Sequence, residues 1–305
     1  MSRRFLIIGA GGFLARHTVR HLTAQPGTEV VTLGRSADPG LGEARHHAMD
    51  CGNLQGLADV IAGESPDQIL NLAGSSSLDF GEMLRYNVEV SETVLAAAAR
   101  LKKTAPIRVI LAGSAAEFGN PPALPVTEST PAAPCNQYGL TKAMQTQLAS
   151  YFRRTQPERL RVTVAHLFNL IGPGSPDYLV FGSFVRQIAT LEEEGTLLTG
   201  NLASERDFLH VEDAAAALAA LSDLADPAPG YVIATGRAVP IRTLLDFLVG
   251  ISRRQVRVEV DASRLCATDV PAIYGSSERL TKETGWRPLR TAESGIAEMW
   301  GEVSG

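Results

Sequence analysis

Hydrophobic residues in this chain fall in short runs that are apolar on both parities. Phe5–Ile8, Val30–Leu33, Gln68–Leu72, Val109–Ala112, Val162–Leu167 and Tyr231–Ala234 are each four to six residues long. Such runs mark strands buried on both faces of a parallel sheet. Between them, Leu14–Thr23, Leu54–Ala62, Asn87–Lys103 and Tyr138–Thr155 have helical composition and apolar spacing. A further strand is expected at Arg45–Met49.

Strand–helix alternation with right-handed crossovers predicts an α/β fold, a doubly wound parallel sheet of the Rossmann type. The pattern changes after Asn169, where Ile171-Gly172-Pro173-Gly174-Ser175-Pro176 is rich in turn residues. We therefore expect residues 1–172 to form a dinucleotide-binding domain, with 204–237 returning to it. Residues 173–203 and 238–305 would form a smaller C-terminal α/β substrate lobe over the carboxyl edge of the sheet. The run Glu192-Glu193-Glu194 reads as an exposed helix face and His46-His47 as a solvated loop.

Composition narrows the partners. The chain has 305 residues, 45% hydrophobic and 20% charged, with a net charge of −5. A mildly acidic globular protein lacks the footprint for a polyanion, so no nucleic acid is expected. Cys51, Cys135 and Cys266 lie far apart, which predicts reduced thiols and neither a disulfide nor a metal site. Four apolar residues followed at once by glycine do not make a secretory core, and no stretch reaches the ~20 apolar residues that cross a bilayer. A soluble, cytoplasmic protein with no membrane partner is the expectation.

The chemistry begins at Gly9-Ala10-Gly11-Gly12-Phe13-Leu14-Ala15, directly after the first strand. Gly9 permits a tight strand-to-helix turn, Gly12 lets backbone approach a pyrophosphate, and Ala15 keeps helix and strand close. The second strand ends in Gly34-Arg35, where an NAD site usually carries an acid. A cation there suits the 2′-phosphate of NADP(H). Asp50 is positioned to accept from the adenine amino group, and Leu72-Ala73-Gly74 leave room for the cofactor.

Tyr138 and Lys142 stand at i and i+4, on one side of a helix. Ketone reduction needs a proton for the oxygen, and a nearby ammonium favours tyrosinate, lowering the phenol pKa. Ser114, 24 residues before the tyrosine at the end of a strand, can orient a substrate carbonyl. Asn87 opens the next predicted helix, where it can order backbone or water near the lysine.

With these motifs, Phe168-Asn169, Arg206-Asp207-Phe208, Val211-x-Asp213 and Gly285-Trp286-x-Pro288, the chain resembles the extended short-chain dehydrogenase/reductase family over nearly its whole length. The resemblance implies a Ser114/Tyr138/Lys142 triad and a nucleotide-diphosphate sugar substrate. It also implies a homodimer through a four-helix bundle formed by the helices near Asn87 and Tyr138. Within the family the chain is most similar to GDP-4-keto-6-deoxy-mannose reductases, which use NADPH. That similarity carries Ser75, Ser114, Glu117, Asn169, Ser183, Arg206 and Asp269 to the substrate, and Phe13, Leu14, Asn87, Tyr138 and Lys142 to the cofactor. Phe118, His166 and Cys266 depart from the pattern, the last two where an arginine is usual. A GDP- or dTDP-linked keto-sugar, a C4-epimerase, and a non-catalytic NADP-binding regulatory protein all stay open. A dehydratase is disfavoured because Ala116, not an acid, stands two residues after Ser114.

Overall fold

The first apolar run divides by parity. Phe5 and Ile7 pack with Val19, Leu22, Leu218 and Leu221 on one face, while Leu6 and Ile8 pack with Leu57, Ile61, Val94 and Leu95 on the other. A strand covered on both sides in this way must be internal to a layered sheet. A computed structural model describes residues 3–36, 41, 44–264 and 270–304.

In chain order, β1 (Arg3–Ile8) leads into α1 (Phe13–Thr23), then β2 (Thr28–Gly34), β3 (Arg45–Ala48), α2 (Leu54–Glu64) and β4 (Gln68–Asn71). A continuous helical stretch runs from α3 (Phe80–Met83) through a π segment (Leu84–Glu89) into α4 (Val90–Arg100). β5 (Ile107–Ser114), α5 (Gln137–Thr155) and β6 (Leu160–Leu167) follow. Next come β7 (Asn169–Ile171), α6 (Val180–Ala189), β8 (Glu194–Thr199), β9 (Glu205–Arg206), β10 (Phe208–His210), α7 (Val211–Asp223) and β11 (Gly230–Ile233). The remainder is β12 (Val239–Pro240), α8 (Ile241–Ser252), β13 (Gln255–Val260), β14 (Ala272–Ile273), α9 (Glu278–Thr284) and α10 (Ala292–Ser304).

The main sheet has seven strands in the order β3-β2-β1-β4-β5-β6-β11. Every neighbouring pair is parallel. The order reverses between β1 and β4, the crevice where open α/β sheets bind ligands. A separate apolar cluster joins α6, α8 and α10 through Phe181, Phe184, Leu244, Leu248, Ile296 and Met299. Phe181 stacks edge-on against Phe184 and Phe208, at 5.6 and 5.2 Å between ring centroids.

Three local expectations change. The helix expected to open at Asn87 begins at Phe80, because Asp79 accepts from the Glu82 amide at 2.8 Å and caps it. A π segment is the usual accommodation of an extra residue within a helix. His46 and His47 are no solvated loop: they lie in the strand expected at Arg45–Met49 and have partners, Nδ1 of His46 lying 2.8 Å from the Thr32 hydroxyl and Nε2 of His47 2.7 Å from Glu64. Glu192–Glu194 form a bend into β8, which pairs with β13, and no helix face.

Asp213, buried in the first turn of α7, fastens the C-terminal segment to the sheet layer. Its carboxylate accepts from the amides of Leu289 and Arg290 and from the Arg290 guanidinium, each at 2.8 Å. Its carbonyl accepts from the Trp286 indole at 3.1 Å. Asp213→Ala would strand two amides, while Arg290 keeps its ion pair with Glu212 at 2.6 Å, so it should lower unfolding free energy by about 2 kcal/mol in urea titration. An unchanged midpoint would refute this anchoring role.

Candidate active site

At the carboxyl ends of β1, β4, β5 and β6 lies a cleft of about 580 Å³, reached by α1, α5 and the segment around Tyr178. Its floor depends on a close backbone approach. Gly9 has φ +87°, and a Cβ there would sit 2.7 Å from the Ala73 nitrogen. Only glycine allows the ends of β1 and β4 to meet so closely. Gly12 then opens α1 with no side-chain cap, leaving first-turn amides for a ligand. Phe13, Leu14, Leu72, Ala73 and Gly74 line the cleft beside it.

Ser114 ends β5, and its hydroxyl accepts from the Ala116 amide at 3.2 Å, turning the chain into a 3-10 segment (Ala115–Phe118). That segment presses on the first turn of α5, where Asn136 accepts from the Gly139 amide at 2.8 Å. Ser114, Tyr138 and Lys142 all line the cleft. The Lys142 ammonium lies 5.9 Å from the centroid of the Tyr138 ring and donates to the Ala112 carbonyl at 2.8 Å and Gln145 at 3.3 Å.

The electrostatics differ from expectation. Burial pushes the Tyr138 phenol up; a hydrogen bond with Ser114 acts downward, and Tyr178 acts upward. Burial also pushes the Lys142 ammonium down to about 8, against the upward pull of Glu117. Desolvation therefore outweighs the lysine as an influence on the tyrosine.

The other expected cofactor residues divide. Arg35 follows β2 on the surface and draws down the Asp50 carboxyl. Burial raises Asp50, but the Gly52 amide, the Tyr86 hydroxyl and the cations Arg35 and Arg85 hold it below its ordinary value. Asn87 lies inside the π segment, fully buried. Its amide donates to the Ser75 carbonyl and the Thr141 hydroxyl, both at 2.9 Å, and accepts from the Ser75 amide at 2.9 Å. It orders the backbone of that loop and does not face the cleft.

Of the expected substrate residues, Ser75, Ser114, Asn169 and Arg206 line the cleft. Asn169 donates to the Asp207 carbonyl at 3.1 Å, and Arg206 to the Val270 carbonyl at 2.6 Å. Glu117 does not line it: the carboxylate turns inward, accepting from Thr146 at 2.9 Å and lying 3.2 Å from His166. Ser183 also sits outside the cleft, its hydroxyl accepting from Gln187 at 3.0 Å because α6 turns that position toward the next helical turn. Asp269 and Cys266 lie outside the described residues.

Residues 5–234 match the NAD dependent epimerase/dehydratase family. The chain belongs to that family. Over 304 residues it is 27% identical to a GDP-6-deoxy-D-mannose reductase of Pseudomonas aeruginosa, covering 97% of this chain and 95% of the relative. A dTDP-6-deoxy-L-talose 4-dehydrogenase (NAD(P)(+)) of Kitasatospora kifunensis is 29% identical, covering 97% and 94%. The structure of RMD from Pseudomonas aeruginosa complexed with NADPH superposes with a TM-score of 0.83 at 26% identity, covering 99% of each chain.

Sequence reasoning missed two features of this epimerase/dehydratase-family cleft. Tyr178, 75% exposed, lines it and acts electrostatically on Tyr138. Only its place after Gly172–Asp177 could have suggested it. Asp207 stands in the sequence only as part of Arg206-Asp207-Phe208, yet it is fully buried. It accepts from the Thr235 amide at 2.9 Å, the Thr235 hydroxyl at 2.7 Å and the Gly236 amide at 3.0 Å, fixing the strand end beside Asn169.

Proposed function

We propose that this protein is an NADPH-dependent oxidoreductase that reduces the C4 ketone of a nucleotide-linked 4-keto-6-deoxyhexose, GDP- or dTDP-linked, to a 6-deoxyhexose. The observation that carries this reading is the convergence of Ser114, Tyr138 and Lys142 on the cleft that also holds the glycine turn. Similarity to a GDP-6-deoxy-D-mannose reductase and a dTDP-6-deoxy-L-talose 4-dehydrogenase supports the substrate class.

The residues present fit a dinucleotide. Gly9, Gly12, Phe13 and Leu14 would hold its diphosphate at the uncapped start of α1. Arg35 would face the 2′-phosphate, and Asp50, held in its charged form, would accept from the adenine. When bound, the cofactor supplies the hydride and, once oxidised, a positive charge. Tyr138 donates its proton to the sugar oxygen, Ser114 orients the carbonyl, and Lys142 holds the ribose and the tyrosine in register. Asn169, Arg206 and Ser75 would bind the nucleotide diphosphate sugar, with residues 173–203 and 238–305 as its lobe. The inward turn of Glu117 and Ser183 removes both from this set.

The same reading includes a homodimer through α4 and α5. Leu140, Met144 and Tyr151 are exposed and share one face of α5. Light scattering should give twice the chain mass for the wild type and the chain mass for Met144→Glu. A monomeric wild type removes this part of the reading.

Incubation with NADPH and a 4-keto-6-deoxy nucleotide sugar should consume NADPH with formation of the 6-deoxyhexose. Isomerised sugar without consumption would instead make the protein an epimerase. Tyr138→Phe should lower kcat by about 10²–10⁴-fold while NADPH affinity holds, whereas Lys142→Met should damage both. Near-normal turnover in Tyr138→Phe would overturn the mechanism. In a separate fluorescence titration, Arg35→Ala should weaken NADPH by about 10–100-fold and leave NADH within about twofold. Equal losses for the two cofactors would refute the role of Arg35.

A further inference from the structure

Glu117 is 2% exposed, and a carboxylate so deeply buried is costly unless another charge compensates it. Its surroundings supply a hydroxyl donor and the His166 imidazole. The carboxylate accepts from Thr146 at 2.9 Å, and Thr146 stands at i+4 from Lys142, on the same side of α5. Lys142 is 4% exposed, with its ammonium on the Ala112 carbonyl at 2.8 Å and Gln145 at 3.3 Å. Neither of those partners carries charge. The ionisable groups around the pair are the Tyr138 ring, 5.9 Å from the ammonium, and His166 from β6, 3.2 Å from the carboxylate.

Glu117 is also linked mechanically to the triad. It lies in the 3-10 segment that starts from Ser114, and its carbonyl accepts from the Ala133 amide at 2.9 Å. The same segment meets α5 so closely that a Cβ on Gly139 would lie 2.3 Å from the Ala116 oxygen. One side chain thus reaches from the serine turn to the tyrosine–lysine helix.

We propose that Glu117 is a positioning residue of the active site, a buried carboxylate held one helical turn from Lys142 that ties the Ser114 turn to α5 through Thr146. The proposal rests on the reading of Ser114, Tyr138 and Lys142 as the reacting centre, but its central measurement needs no substrate. The chain has only four lysines, Lys102, Lys103, Lys142 and Lys282, so a ¹³Cε-lysine NMR titration resolves each one, with Lys142→Met giving the assignment.

Lys142 should titrate at about 8. In Glu117→Gln, which preserves shape and the Thr146 contact, its midpoint should fall further by about one unit or more. Burial lowers the ammonium pKa and Glu117 opposes it, so losing the carboxylate leaves burial unopposed. The alkaline limb of kcat should move to lower pH by the same amount. A folded Glu117→Gln protein with an unshifted Lys142 midpoint overturns the proposal.

Thr146→Val supplies a second arm should Glu117→Gln not fold. It keeps the charge and frees the carboxylate, so kcat should drop several-fold with KM for the sugar unchanged. Unchanged kcat would overturn the tie. A wild type that reduces no keto-sugar would defeat the proposed reaction, while the NMR titration would still decide the role of Glu117.

Discussion

The site depends on the contact between the turn after β5 and the first turn of α5. Ser114 and Tyr138 come from elements 24 residues apart in sequence, and nothing local holds them together. What does is a backbone approach that tolerates no side chain at Gly139, secured by Asn136 capping the helix and by Glu117 bound to Thr146. Because α5 is rigid over 19 residues, fixing its first two turns fixes the phenol and the ammonium together. The glycine turn is held by the same device on the other side of the cleft, where Gly9 touches the Ala73 backbone. Two backbone contacts, each requiring glycine, therefore set the span between the glycine turn and the Tyr138 phenol.

Burial at this centre has an electrostatic consequence. The tyrosine and the lysine are both pushed toward their neutral forms, the phenol upward and the ammonium to about 8. A neutral phenol is the form that donates a proton, whereas a neutral amine would lose its hold on an acidic partner. The two groups thus need different corrections from one environment. Ser114 acts on the phenol and Glu117 on the ammonium, so the opposed corrections come from the same short turn. Glu117 stands three residues after Ser114, where the 3-10 geometry carries its side chain off the cleft.

That turn also shows the limits of what the sequence discloses. The alternating apolar runs disclosed the parallel sheet because a strand covered on both faces leaves no other pattern, as Phe5–Ile8 illustrates. Tyr138 and Lys142 were legible because helical spacing alone puts them on one side. The family resemblance carries Glu117, Ser183 and Asn87 to ligands, but the direction of each side chain is a tertiary fact. A 3-10 turn, a helix phase and a π segment decide those directions, and none has a hydrophobic period to reveal it. The start of the helical stretch at Phe80 is hidden for a similar reason: the apolar spacing points to Asn87, and the Asp79 cap adds nothing to that spacing.

The region beyond β6 follows a different logic, in which single buried acids do the joining. Asp207 gathers the Thr235 and Gly236 amides behind Asn169, and Asp213 gathers the amides before α10. His210 adds a third link, fully buried with Nε2 3.2 Å from Glu298 on α10. Each link fastens short, irregular chain to the sheet layer at one point and leaves the intervening segments free to differ in length and side chain. A cleft wall built this way holds Asn169 and Arg206 at fixed anchors, while residues such as Tyr178 project from the stretch between them. Ser114, Tyr138 and Lys142 stand on β5 and α5, and Asn169, Arg206 and Tyr178 stand on short anchored segments. That division lets the centre of the cleft stay fixed while its wall changes.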